Sequence, residues 1–278
     1  MTDMLKDILL HVDSTPSSDA RLVLAVNLAE RQGAHLIGLH VKPNPYIPAS
    51  PDLAGLSDSF FEEQQRDIDS HANAARAKFD AATRKSDIAS EWRVLNGFPS
   101  EVVRRHARYA DLVIVGQENP DDNGQSEDLP GGILLTTGRP VLVVPYAMPA
   151  KSLATNVMIA WDDGAQATRA LHDAIQLMEK GAKVTVMAIN PDDTGDHGPI
   201  PCADICLHLA RHGFKAEAKS VAAPDANVGD ILLARSFEQG CDLLVMGAYG
   251  HSRMREFVFG GATAQILESM TLPVLMSH

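Results

Sequence analysis

The 278-residue chain repeats one pattern, and that repeat restricts its fold more than any other feature. Asp7-Ile8-Leu9-Leu10-His11-Val12-Asp13 is answered by Asn156-Val157-Met158-Ile159-Ala160-Trp161-Asp162, each a short apolar run ending in aspartate. Helix-like stretches follow at 18–32 and 165–180, and each stops at a glycine, Gly33 or Gly181. The next apolar runs, 35–41 and 183–189, both lead to a proline, Pro43 or Pro191. Farther on, 100–108 and 227–239 read as helices. The runs 111–116 and 242–247 are the same strand, with aspartate before it and glycine at its end. A final pair, 139–144 and 272–276, shares Pro-Val-Leu.

Each half therefore reads β-α-β-α-β-α-β-α-β. Its strands are continuous apolar runs rather than alternating ones, the pattern of strands covered on both faces, so the sheets should be parallel. The expected fold class is α/β, two tandem doubly wound five-stranded parallel-sheet domains, at 1–148 and 155–278. A short linker carrying Pro149, Ala150, Lys151 and Ser152 separates them. The halves differ in their middles. The first has a Pro-, Ser- and Gly-rich insert at 44–59 and then a helix at 60–84. The second has a loop at 191–201 and a shorter helix at 203–211. The last strands are apolar and end each sheet, so an unpaired edge there calls for a partner.

The net charge of −12 repels nucleic-acid phosphates and anionic headgroups at long range. No run of about 18 apolar residues occurs, which argues against a membrane span. The N-terminus does not read as a signal peptide, and the three cysteines form no disulfide framework. These features together suggest a cytoplasmic protein with neither nucleic acid nor membrane as its partner.

In an open parallel sheet, ligands sit beyond the carboxyl ends of the strands. In the second half this is the segment from Gly247 through Gly250, His251, Ser252 and Arg253 to Gly260, Gly261 and Thr263. Gly247 and Gly250 let the chain turn sharply and approach a ligand closely. Gly260 and Gly261 open the last helix, whose N–H groups and dipole favour an anion. His251, Arg253 and Arg255 add cationic or donor side chains, and Ser252 and Thr263 add hydroxyls. Asp162, across the crevice, is placed to accept from a ribose hydroxyl or to hold Mg²⁺.

The spacing G-x2-G-x9-G, made by Gly247, Gly250 and Gly260, resembles the ATP-binding signature of the universal stress protein family. The strand-end aspartates and the Pro-Val-Leu strands extend the resemblance over both halves. It implies a Rossmann-like fold of the adenine nucleotide alpha hydrolase type. It also implies ATP across the strand ends, with Asp162 near ribose or adenine and the main chain of Ala188 and Ile189 near adenine. The three glycines would cradle the phosphates. Gly261 departs from the family pattern, which has Ser or Thr directly after the last glycine. In the family the last strand pairs across a dimer. Here the two halves would pair with each other as an internal pseudo-dimer, with a homodimer of the whole chain as a further arrangement. The resemblance implies a non-enzymatic module of stress tolerance. The alternatives are a slow Mg²⁺-dependent ATP hydrolase and a ligand-free scaffold.

The first half lacks this loop. Asn119 stands where Gly250 would, and Glu118, Asp121, Asp122, Glu127 and Asp128 crowd the segment. Each like-charge pair at about 4 Å costs on the order of 1–4 kcal/mol, so a triphosphate is excluded by the usual route. This half is read as a structural partner, or as holder of another ligand under 44–59. No catalytic arrangement and no metal set stands out. Cys202 and Cys206 share a helix face while His208 points elsewhere, with His197 and His212 flanking; the segment reads as a buried amphipathic helix, with a zinc site as the lesser alternative. Cys241 reads as a small buried hydrophobe, His11 and His40 as hydrogen-bonded core histidines. His172 sits on a helix pattern with no partner motif.

Overall fold

The computed structural model describes residues 5–43, 58–119, 128–147, 153–191, 201–249 and 261–278. The first half contributes strands β1 (Asp7–His11), β2 (His35–Lys42), β3 (Ser90–Asn96), β4 (Leu112–Gly116) and β5 (Val141–Val144). Its helices are α1 (Ser17–Gln32), α2 (Asp58–Lys85), α3 (Pro99–Ala107) and α4 (Leu129–Leu134). The second half repeats the order with β6 (Asn156–Ala160), α5 (Ala165–Leu177), β7 (Lys183–Ile189), α6 (Ala203–Arg211) and β8 (Lys215–Val221). It ends with α7 (Val228–Glu238), β9 (Leu243–Gly247), α8 (Gly261–Ser269) and β10 (Val274–Ser277). Among the described residues, no helix is long and apolar enough to cross a membrane.

The strands form one sheet in the order β3-β2-β1-β4-β5-β10-β9-β6-β7-β8. Within each half every pairing is parallel. The central strands are covered by helices on both faces: Ile8, Leu9, Leu10, Val113, Ile114, Val157, Met158, Ile159 and Leu244 are fully buried. The strands at the two ends of the sheet, β3 and β8, carry polar, partly exposed sequences instead, Ser-Glu-Trp-Arg-Val-Leu-Asn and Lys-Ala-Glu-Ala-Lys-Ser-Val. Charge on such edges discourages further strand addition.

The aspartate before the fourth strand of each half has a structural purpose that explains its repetition. The Asp111 carboxylate accepts from the N–H groups of Lys6 and Asp7, 2.8 and 3.1 Å away. Asp242 does the same for Thr155 and Asn156, both at 3.0 Å. Each thus satisfies backbone donors at the start of the first strand and pins it to the fourth.

The two halves meet where their last strands pair. β5 and β10 run antiparallel, with Leu142 opposite Leu275 and both fully buried in one core drawn from the two halves. Arg31, at the end of α1, donates to the carbonyls of Leu153 and Leu177 and to the Glu179 carboxylate. Gln32 donates to the Gln176 carbonyl. These contacts place donors and a cation on the last carbonyls of α5, where the helix dipole is negative. Gln117, just after β4, donates to the carbonyls of Leu267 and Glu268 at the end of α8.

Candidate functional site

The crevice of the second half is built at the carboxyl ends of β6, β7, β9 and β10. Asp162 follows β6, and its Oδ1 accepts from the Gly164 N–H at 2.9 Å, which turns the chain into α5. Asp163 between them takes a left-handed φ of 61°. Ala188 and Ile189 end β7, Ala188 buried and Ile189 half-buried. Beyond them Asn190 exchanges hydrogen bonds with the Ala223 backbone, locking the end of β7 to the segment after β8.

Gly247 ends β9. A Cβ there would lie 2.6 Å from the backbone nitrogen of Ala167, so glycine is required because the first turn of α5 presses on the strand end. Gly247 is not a positive-φ residue. It is Tyr249 that has positive φ, at 55°. Thr263, in the first turn of α8, is buried, and its hydroxyl oxygen accepts from the Tyr249 N–H at 3.3 Å. Gly261 opens α8, and a Cβ there would meet no atom of the described residues within 4 Å. His278 follows β10: its Nδ1 donates to the Ala248 carbonyl, and its own carbonyl accepts from Arg169. Gly250, His251, Ser252, Arg253, Arg255 and Gly260 lie outside the described residues.

The equivalent place in the first half is filled. Arg21, on α1, is 2% exposed. Its Nε donates to the His11 carbonyl, and its Nη2 to Asp13 Oδ2 at 2.5 Å and to Ser18 Oγ. The guanidinium lies under the end of β4: a Cβ on Gly116 would be 1.8 Å from Arg21 Nη1. Asp13, the counterpart of Asp162, also accepts from the Thr15 N–H and hydroxyl. Burial would raise its carboxyl, but Arg21, with help from His11 and Thr15, holds it at about 2. Sequence reasoning missed Arg21. The signal was a cation on the helix face that also carries Ser18, Leu24, Ala25 and Leu28, all of which are buried. In the second half the residue eight past the strand-end aspartate is Ala170, fully buried, where the first half has Arg21.

The first half keeps a hollow of about 90 Å³ between α1 and α2, lined by Asp13, Ser14, Ser18, Asp19, His71 and Lys78. That is room for a few water molecules, not a nucleotide. The insert at 44–57 lies outside the described residues. His40 Nδ1 donates to the Val12 carbonyl and its ring stacks on Trp92. His11 is pushed down to about 4 by burial, with Arg21 and His40 adding and Asp13 opposing. Unfolded histidine binds its proton near pH 6.5 and folded His11 only near 4. Stability therefore falls as pH drops through that window, by roughly 3 kcal/mol in full. Urea midpoints measured from pH 7.5 to 4.5 should show this slope, and His11→Ala should flatten it.

The cysteines behave as packing residues. Cys202 joins the core and Cys206 packs against it. Burial pushes the Cys202 and Cys241 thiols up to about 11. His208 faces α5, where His172 meets it, so the histidine read as partnerless has a neighbour.

The geometry agrees with comparisons to known proteins. The family model described as universal stress protein family matches residues 4–126 and 207–278. A universal stress protein of Synechocystis is 24% identical, over 98% of this chain and 99% of its own. The crystal structure of a universal stress protein from Archaeoglobus fulgidus superposes with a TM-score of 0.74 at 16% identity, covering 98% of this chain and 95% of that one. A Pseudomonas aeruginosa structure described as functionally unknown gives 0.62 at 14% identity, over 98% and 92%. With a mostly parallel sheet built twice and a family match over most of its length, the chain belongs to the universal stress protein family, with the fold present in tandem.

Proposed function

We propose that the second half binds an adenine nucleotide, ATP or a close relative, and that the first half is its structural partner. The observation that carries this is the exchange of Arg21 for Ala170. In the first half a buried guanidinium occupies the space under Gly116 and neutralises the strand-end aspartate. In the second half that cation is replaced by a methyl group. The spacing of Gly247, Gly250 and Gly260, and a helix N-terminus at Gly261, supply the main-chain donors that a phosphate needs. Asp162, at the mouth of the crevice, is assigned to the ribose. Family membership supports a role in stress tolerance, which this reading places in the cytoplasm.

Thermal unfolding with and without ATP and Mg²⁺ tests this reading. At a hundredfold excess over Kd, binding adds about 2.7 kcal/mol, a rise of about 5 °C for a protein of this size. Asp162→Ala should lose most of the rise, and Gly250→Val should abolish it by blocking backbone approach. A freshly purified protein that releases no nucleotide to mass spectrometry and shows no ATP-dependent rise would leave a scaffold.

A further inference from the structure

Three histidines meet on the surface of the second half, away from the strand-end crevice. His172 projects from α5, while His208 and His212 lie on α6 and at its end. The ring centres of His172 and His208 are 5.2 Å apart, and those of His208 and His212 are 4.7 Å apart. We propose that His172, His208 and His212 form a binding site for a transition-metal ion of the zinc type, clamping α6 to α5.

Spacing, tautomer and burial each support the site. Residues four apart on a helix share a face, the arrangement by which helical histidine pairs hold zinc. Two imidazoles sharing one tetrahedral zinc at about 2.1 Å set their ring centres roughly 5 Å apart, close to both observed separations. The His172 Nδ1 lies 2.8 Å from the Thr168 carbonyl, which can only accept. Nδ1 therefore carries the proton, and Nε2 of the neutral ring presents its lone pair. A backbone carbonyl behind a histidine is the usual way a metal ligand is oriented. His208 Nε2 is buried and has no hydrogen-bond partner among the described residues, which is costly for a polar atom unless a ligand engages it. As they stand, the described residues include no group of three or more histidine, cysteine, aspartate or glutamate side chains that could hold a metal ion. His172 is held by its Thr168 hydrogen bond, so the exposed ring of His212 must turn to complete the site.

The test is calorimetric titration of the chelator-stripped full chain with Zn²⁺, repeated with Co²⁺ for its absorption spectrum. The expected result is one saturable site per chain and a higher Tm on loading. The Co²⁺ spectrum should lack a thiolate charge-transfer band. His212→Ala and His172→Ala remove exposed rings and should leave the apo fold intact by circular dichroism. Each should weaken Zn²⁺ binding at least tenfold, as should His208→Gln. Cys202→Ser with Cys206→Ser should leave binding unchanged. Absence of saturable binding, binding that survives His212→Ala or His172→Ala, or a thiolate band would overturn the proposal. None of these readouts depends on nucleotide.

Discussion

Arg21→Ala should lower the unfolding free energy by about 3 kcal/mol, the lower end of the cost of breaking a buried ion pair. The guanidinium is almost wholly buried, and it meets Asp13, the His11 carbonyl and Ser18 at once. Removing it leaves the Asp13 carboxylate beside buried His11 without its cation. Because the Asp13 side chain is 30% exposed, water screens part of the loss, which places the effect at the lower end. The variant should also change how stability depends on acid. In the parent chain the Asp13 pKa is depressed to about 2, so its contribution is present above the unfolded value near 3.8 and is lost as pH falls toward 2. Without Arg21 that depression disappears, and burial pushes the carboxyl the other way. Urea unfolding at pH 7 and in steps from pH 4 toward pH 2 checks both points. Arg21→Met combined with Asp13→Leu should recover most of the loss, since an apolar pair of similar volume replaces the charges. If Arg21→Ala unfolds within 0.5 kcal/mol of the parent, the arginine is not the plug described above.

Leu275→Asp should prevent the whole chain from folding, not the second half alone. Leu275 is fully buried opposite Leu142, at the one antiparallel pairing among the described strands. A carboxylate there has no partner and no water, a cost beyond 4 kcal/mol. The milder Leu275→Ala should cost about 2–5 kcal/mol through the cavity it leaves. Its diagnostic value lies in where the loss is felt. The β5–β10 seam and the Arg31, Gln32 and Gln117 contacts join the halves, so amide protection should fall in β1 as well as in β6. Protection lost only from the second half would show that the two sheets unfold separately.

Much of this architecture is legible in the residues themselves. Apolar runs such as Leu112 to Val115 and Leu243 to Met246 announce buried parallel strands, because covering both faces leaves no polar alternation to see. The helix at 203–211 is found where expected, and those beginning near 18 and 100 start within one residue of expectation. The helix expected to run to 180 ends at Leu177, where Met178 leaves helical geometry with ψ of 140°. The spacing of Gly247, Gly250 and Gly260 is likewise a local signal, and so is the acidic content of the matching segment in the first half.

By itself, then, the sequence determined the duplicated α/β pattern, the parallel order within each half and the glycine spacing on which the proposed phosphate site rests. All are periodic or short-range features, and periodicity is what a linear sequence records. Only the tertiary structure decided that Arg21 fills the first crevice and that α5 imposes glycine at 247. It alone brought His172 to His208 and His212, and joined the two sheets through Leu142 and Leu275. Each of those depends on two segments far apart in the chain reaching the same few ångströms. No single segment carries the distance to its partner.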